Sequence, residues 1–199
     1  MNILHLDSSA LGSHSASREL TRAIVDALVL HHPQARVSHL DLDGEPLPHL
    51  TGRSLAKADP AESTRAERVL EDFLAADVLV IGAPMYNFAI PSTLKAWIDR
   101  VTVAGRTFRY TANGPEGLAT GKRAILAISQ GGVHAPGGPS DFQQRYLEFV
   151  LEFLGITDVH AIRAGGLALS AGHRERAMAE ALSDARRVAG LPFALDRAA

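Results

Sequence analysis

Two short runs, Val78-Leu79-Val80-Ile81 and Ala124-Ile125-Leu126-Ala127-Ile128, offer no polar side chain to either face of a strand. A strand of that kind needs apolar cover above and below, so both belong in the middle of a parallel sheet with helices on each side. The rest of the chain supplies the partners. Ile3–Leu6, Val37–Leu42 and Val159–Arg163 predict three further strands. Segments near Ser15–Leu30, Ala61–Ala76, Pro91–Val101, Asp141–Leu154 and His173–Val188 repeat apolar residues at helical spacing. Strands alternating with helices along 199 residues predict one α/β domain over 1–199, a doubly wound parallel sheet. The second strand is the least apolar and fits an edge, which gives the order 2-1-3-4-5.

Composition excludes several classes of chemistry. There is no cysteine, hence no disulfide, thiolate nucleophile or zinc–cysteine site. Twenty basic against 22 acidic residues leave a net charge of −2. That balance, without a basic run, gives no footprint for nucleic acid or anionic lipid. No apolar stretch approaches the ~20 residues that span a bilayer. Met1 leads straight into the first strand without a signal-peptide pattern, so a soluble, cytoplasmic protein is expected. The histidines show no metal-ligand spacing, and no metal is expected.

In such sheets ligands bind beyond the carboxyl ends of the strands, near the switch in strand order. The loop after strand one, Asp7 to Arg18, holds five serines and opens a helix. Helix N-terminal amides and serine hydroxyls make an anion site, although serine is equally a good N-cap. The chain carries neither G-x-G-x-x-G nor G-x-x-x-x-G-K-[ST], which disfavours dinucleotides and triphosphates and suits a terminal monophosphate. The loop after strand three, Gly82-Ala83-Pro84-Met85-Tyr86-Asn87-Phe88-Ala89-Ile90-Pro91, either packs on itself or flanks a flat ligand. The loop after strand four, Ser129-Gln130-Gly131-Gly132-Val133-His134, lets backbone approach a ligand or simply turns. Three ligand-type loops on the same end of one sheet carry more weight than any one alone.

These same residues resemble the FMN-dependent NADH-azoreductase family, flavodoxin-like quinone and azo-compound reductases. The resemblance rests on Ser9 with Ser15-Ala16-Ser17, on Pro84-Met85-Tyr86-Asn87-Phe88, and on Ser129-Gln130-Gly131-Gly132. Thr107-Phe108-Arg109-Tyr110-Thr111 and Gly114-Pro115-Glu116-Gly117-Leu118 extend it across nearly the whole chain. It implies a tightly but non-covalently held FMN, with its phosphate on Ser9, Ser15, Ala16 and Ser17. Met85, Tyr86, Asn87 and Phe88 would line the isoalloxazine, Asn87 near the reactive edge. Ser129, Gln130, Gly131 and Gly132 would meet the pyrimidine side, with His134 near a ring carbonyl. Gln130 stands where relatives often carry a basic residue. The resemblance further implies a homodimer, and Phe88, Tyr110 and Phe153 around a pocket for quinones, azo compounds or nitroaromatics. NADH or NADPH would be the donor, in ping-pong turnover.

Bare physics leaves some of this open. His134 is a flavin contact or a surface loop residue. The connection from Thr102 to Lys122 is long for its place, and its Thr107–Thr111 alternation suits a lid, a hairpin or an interface arm. The apolar stripe of Phe142–Leu154 reads as core, with width to spare for a dimer face. The rival readings are a flavodoxin-type electron carrier and a flavin redox sensor. A receiver domain would need an aspartate after strand three, where Gly82-Ala83-Pro84 stands. A hydrolase would need a G-x-S-x-G elbow, which the chain lacks.

Overall fold

A computed structural model describes residues 1–192 of the chain. The strands are β1 (Asn2–Asp7), β2 (Arg36–Asp41), β3 (Val78–Pro84), β4 (Phe108–Thr111), β5 (Gly114–Gly117), β6 (Arg123–Ser129) and β7 (Asp158–Ala164). The α-helices are α1 (Ala16–His31), α2 (Gly52–Leu55), α3 (Pro60–Ala75), α4 (Ser92–Val101), α5 (Phe142–Phe153) and α6 (Ala171–Ala189). β2-β1-β3-β6-β7 form a parallel five-stranded sheet, the expected order with the least apolar strand at its edge. Every residue of β3 and β6 is buried. The single-domain expectation ran to residue 199; 193–199 lie outside the described residues.

The two-sided apolar strands dictate two cores. On one face Ile3, Val78, Val80 and Ile125 pack beneath Leu20, Ile24 and Leu28 of α1 and Ala181 and Ala185 of α6. On the other, Leu79, Ile81, Leu126 and Ile128 meet Val69 and Phe73 of α3, Leu94 and Trp97 of α4, and Leu147 and Leu151 of α5. Trp97 is 2% exposed and meets Phe73 edge-on at 5.8 Å, each ring contributing about 1.5–3 kcal/mol by burial. No helix among the described residues is long and apolar enough to cross a membrane.

Two local features differ from a plain alternation. α2 stands between β2 and α3, where the sequence predicts no helix, because Thr51 and Ser54 form a reciprocal capping box. The Thr102–Lys122 excursion is an antiparallel hairpin of β4 and β5, one of the alternatives the sequence left. It leaves from the end of α4 and returns to the start of β6, so its base lies at the amino ends of the sheet strands. There Gly117 lies against Leu154 and Gly155, and Ala119 N–H donates to Leu154 O at 2.8 Å.

Candidate active site

The loop after β1 is a cradle for an anion. Ser8, Ser9, Ser15 and Ser17 are all buried, and Ser15 Oγ accepts from Arg18 N–H at 3.3 Å as the N-cap of α1. Ser15 and Ser17 hydroxyls lie 3.0 Å apart. The first-turn amides of Ala16 and Ser17 keep no protein acceptor among the described residues. Arg18 braces the cradle from behind. Its guanidinium donates to Ser9 O at 2.9 and 3.2 Å and to both oxygens of Asp41 at 2.6 and 2.7 Å. That charge-assisted hydrogen bonding holds the Asp41 carboxyl down to about 2. Beneath it, burial pushes the Asp7 carboxyl up, but contacts with His5, Thr21 and His39 outweigh burial and leave its pKa lowered.

The loop after β3 is a tight turn. Tyr86 N–H donates to Ala89 O at 2.9 Å and Ala89 N–H returns to Tyr86 O at 3.0 Å. The two central residues, Asn87 and Phe88, have φ of 48° and 69°. Positive φ at both positions marks a type I′ turn, whose second place ordinarily goes to glycine. A phenylalanine there costs about 1–3 kcal/mol of backbone strain, and such strain collects where a side chain must be presented. Phe88 is presented: it is 54% exposed and meets His134 edge-on at 5.8 Å. Tyr86 turns the other way, its hydroxyl accepting from Ala10 N–H at 3.0 Å and lying 3.2 Å from Ser9 Oγ. Tyr86 therefore ties the second loop to the first.

The loop after β6 is held from behind as well. Met85 N–H donates to Ser129 O at 2.8 Å. Gln130 is spent inside the protein: its N–H goes to Ala164 O, its carbonyl accepts from Leu167 N–H, and its amide donates to Gln143 Oε1. Gln143 passes the chain on to Ala83 O at 2.6 Å. Gly131 and Gly132 have their carbonyls bound to Ala168 and Gly166, while their N–H groups have no protein acceptor among the described residues. His134 Nδ1 pairs with Ser140 Oγ at 2.8 Å, and its carbonyl accepts from Arg163 at 2.7 Å. The result is one end of the sheet offering free amides at an anion cradle, an exposed aromatic edge and free glycine amides. Those groups fit a flat ligand with a phosphate tail, such as FMN.

Residues 1–189 match the flavodoxin-like fold family. The chain belongs to that family. It is 60% identical over 183 residues to FMN-dependent NADH:quinone oxidoreductase 1 of Xanthomonas axonopodis pv. citri, covering 92% of this chain and 94% of the relative. It is 55% identical to FMN-dependent NADH:quinone oxidoreductase of Stenotrophomonas maltophilia, over 92% of this chain and 93% of the relative. Among solved structures, the azoreductase of Bacillus anthracis str. Sterne superposes with a TM-score of 0.84 at 27% identity, covering 95% of this chain and 98% of the other. The family that the sequence resembles is thus the one that these relatives are named for.

Within this flavodoxin-like chain the expected site residues divide. Ser9, Ser15, Ala16, Ser17, Met85, Tyr86, Asn87, Phe88, Ser129, Gly131, Gly132 and His134 gather at one end. Gln130 is among them but points into the scaffold at 2% exposure. Tyr110 and Phe153 are not brought there. α5 runs back along the sheet for 12 residues, about 18 Å, and Phe153 stands at its far end. There it packs on Phe108 at 4.7 Å, and Phe108 meets Tyr110 at 5.5 Å. Reading by residue type missed Arg18, Arg163 and Gln143 as braces, since nothing local announces a partner that only the register supplies. It also missed His5, Asp7 and His39, whose donor atoms lie within 4.8 Å of one another.

The strained turn yields a prediction. Phe88→Gly removes the left-handed strain while losing one edge contact and gaining unfolded-state freedom, so stability should stay within about 1 kcal/mol. Flavin binding should weaken roughly tenfold, the worth of one aromatic wall. Calorimetric melting and a fluorescence titration with FMN check both halves; a large stability loss would mean that the ring is core.

Proposed function

We propose that this protein is an FMN-dependent oxidoreductase that passes two electrons from NADH to quinones and azo compounds. The convergence of the phosphate cradle, the strained Asn87-Phe88 turn and the Gly131-Gly132 amides on one end of the sheet carries the reading. Relatives named FMN-dependent NADH:quinone oxidoreductase at 60% identity support it. When bound, FMN supplies the two-electron chemistry, and the protein supplies binding, orientation and electrostatics. Ala16 and Ser17 amides with the Ser15 and Ser17 hydroxyls hold the phosphate. Phe88 and Met85 wall the ring, with Asn87 at its reactive edge. The Gly131 and Gly132 N–H groups and His134 would donate toward the pyrimidine side of the ring and so favour a reduced, negatively charged flavin. Nicotinamide and acceptor use one pocket in turn, so initial-rate plots run parallel. Nitroaromatics are flat enough for the same slot. The cytoplasm, where a soluble nicotinamide donor is available, is the proposed setting.

The functional unit in this reading is a homodimer. Phe142, Phe149 and Tyr110 are 59%, 69% and 76% exposed, and Tyr146, Val150 and Phe153 flank them half-buried. Tyr110 and Phe153, remote from their own chain's loops, then wall the partner's pocket. Phe149→Glu should give a monomer, because an unpaired carboxylate inside an apolar interface costs several kcal/mol. Light scattering reads the mass; a variant that stays dimeric removes this face of α5 from the interface. Turnover should fall while flavin is retained.

The direct test loads the purified protein with FMN, desalts it, and adds NADH without oxygen. Retained flavin bands that bleach are expected. Flavin that stays oxidised would make the protein a carrier or sensor, and no retained flavin would reduce the serine loop to a helix cap.

A further inference from the structure

The parallel register of β1 and β2 sets His5 beside His39 and Asp7 beside Asp41, on the sheet face that α1 covers. His5 Nε2 and His39 Nε2 lie 3.4 and 3.0 Å from the same oxygen, Asp7 Oδ2. The two imidazoles are 4.4 Å apart between centroids. Asp7 is buried, whereas 48% of the His39 side chain is exposed on an open depression that Asp7 and Arg18 also line. One atom in the cluster lacks what burial demands. His5 Nε2 is shut off from solvent and makes no hydrogen bond, its contact with Asp7 Oδ2 standing at 3.4 Å. A buried ring nitrogen with only a long ion-pair contact and no hydrogen bond is unfavourable, and its presence points to a ligand.

We propose that His5, Asp7 and His39 bind one divalent transition-metal ion of the zinc type, beside the serine cradle and apart from the residues proposed to wall the flavin ring. Two imidazole nitrogens and one carboxylate oxygen suit zinc and its neighbours, and do not suit the all-oxygen sites of calcium or magnesium. Zinc bonds of about 2.0–2.1 Å separate tetrahedral ligand atoms by about 3.4 Å. The two imidazole–carboxylate distances, 3.0 and 3.4 Å, match that spacing to a few tenths of an ångström, and all three ligand atoms lie within 4.8 Å of one another. The ion replaces the proton between His39 and Asp7, gives His5 Nε2 its partner and leaves a fourth position facing the depression. Arg18 stands 3.9 Å from Asp7 Oδ2, but both Asp41 oxygens already neutralise it. Asp7 and Asp41 against Arg18 leave one negative charge for the ion to meet. Bound there, the ion clasps the edge strand β2 to β1 directly beneath the phosphate loop. The histidine spacing in the sequence could not show this, because the ligands come from two strands joined only by register.

The test titrates untagged protein with zinc by calorimetry, with and without FMN, and records the visible spectrum of the cobalt(II) form. One ion per chain is expected in both states, with cobalt absorption of tetrahedral intensity. His39→Gln should weaken zinc by at least the roughly 100-fold seen when outer-sphere partners of metal ligands are removed, and should abolish the cobalt band. Its position on an exposed edge leaves folding intact, which circular dichroism checks. His160→Gln breaks a second histidine–aspartate pair, at 2.8 Å from Asp158, and should change nothing. Absence of stoichiometric zinc, zinc that survives His39→Gln, or zinc that appears only with FMN and so sits on its phosphate would each overturn the site.

Discussion

Replacing Ser15 with aspartate leaves the protein folded and strips it of FMN. Aspartate is as good an N-cap as serine, and its carboxylate can take over the Arg18 N–H that Ser15 Oγ now accepts at 3.3 Å. A negative charge at the amino end of α1 also complements the helix dipole, so stability should hold or rise slightly. The same charge lands 3.0 Å from the Ser17 hydroxyl position, next to the free Ala16 and Ser17 amides. With a phosphate there, each unit-charge pair at ~4 Å repels by about 4 kcal/mol at an effective dielectric near 20. That is about three orders of magnitude in affinity. Riboflavin has no phosphate and should bind Ser15→Asp as it binds the parent. Fluorescence titrations with the two flavins separate electrostatics from damage. FMN affinity within tenfold of the parent would move the phosphate off this loop and leave its serines as caps.

The parts of the fold that could be read in advance are those dictated by a local pattern. β3 and β6 are apolar on both faces, and only a doubly wound sheet covers both; the polar Arg36–Asp41 run had to be an edge. α2 escaped notice because four residues give no period, and its stability comes from a capping box between Thr51 and Ser54. At the site, serine-rich and aromatic loops announced themselves by composition. Their bracing did not. Arg18 reaches Asp41 and Arg163 reaches His134 O only after strands 23 and 29 residues away are in register. The left-handed Phe88 was equally hidden, since Asn-Phe is no turn signal and the strain is imposed by the closure between Tyr86 and Ala89. Tyr110 and Phe153 were grouped with the loops by family resemblance. The direction of α5 puts them at the other end, and this separation supports the proposal that two chains complete each pocket.

That separation makes Gly117→Ala the substitution with the largest expected effect away from the flavin loops. An ideal Cβ at Gly117 would lie 2.1 Å from the Gly155 nitrogen and 2.3 Å from the Leu154 carbonyl carbon. Both are backbone atoms, and Gly155 itself holds φ +95° to close the end of α5, so neither side can yield cheaply. Overpacking of this kind costs about 3 kcal/mol or more. The chain has an easier escape, which is to lift the β4–β5 hairpin from α5 and give up the Ala119–Leu154 hydrogen bond and the Phe108–Phe153 contact. The five-stranded sheet and the loops at its carboxyl ends keep all their own bonds. Gly117→Ala should therefore still bind FMN within a few-fold of the parent, yet melt earlier and lose most quinone turnover, because in the proposed dimer Tyr110 and Phe153 would no longer face the partner's pocket together. Hydrogen exchange should localise the loss of protection to 108–117 and the last turn of α5. If turnover survives with the hairpin detached, these aromatics are not the substrate wall; if FMN is lost along with it, the two ends of the molecule are coupled more tightly than their separate hydrogen bonds imply.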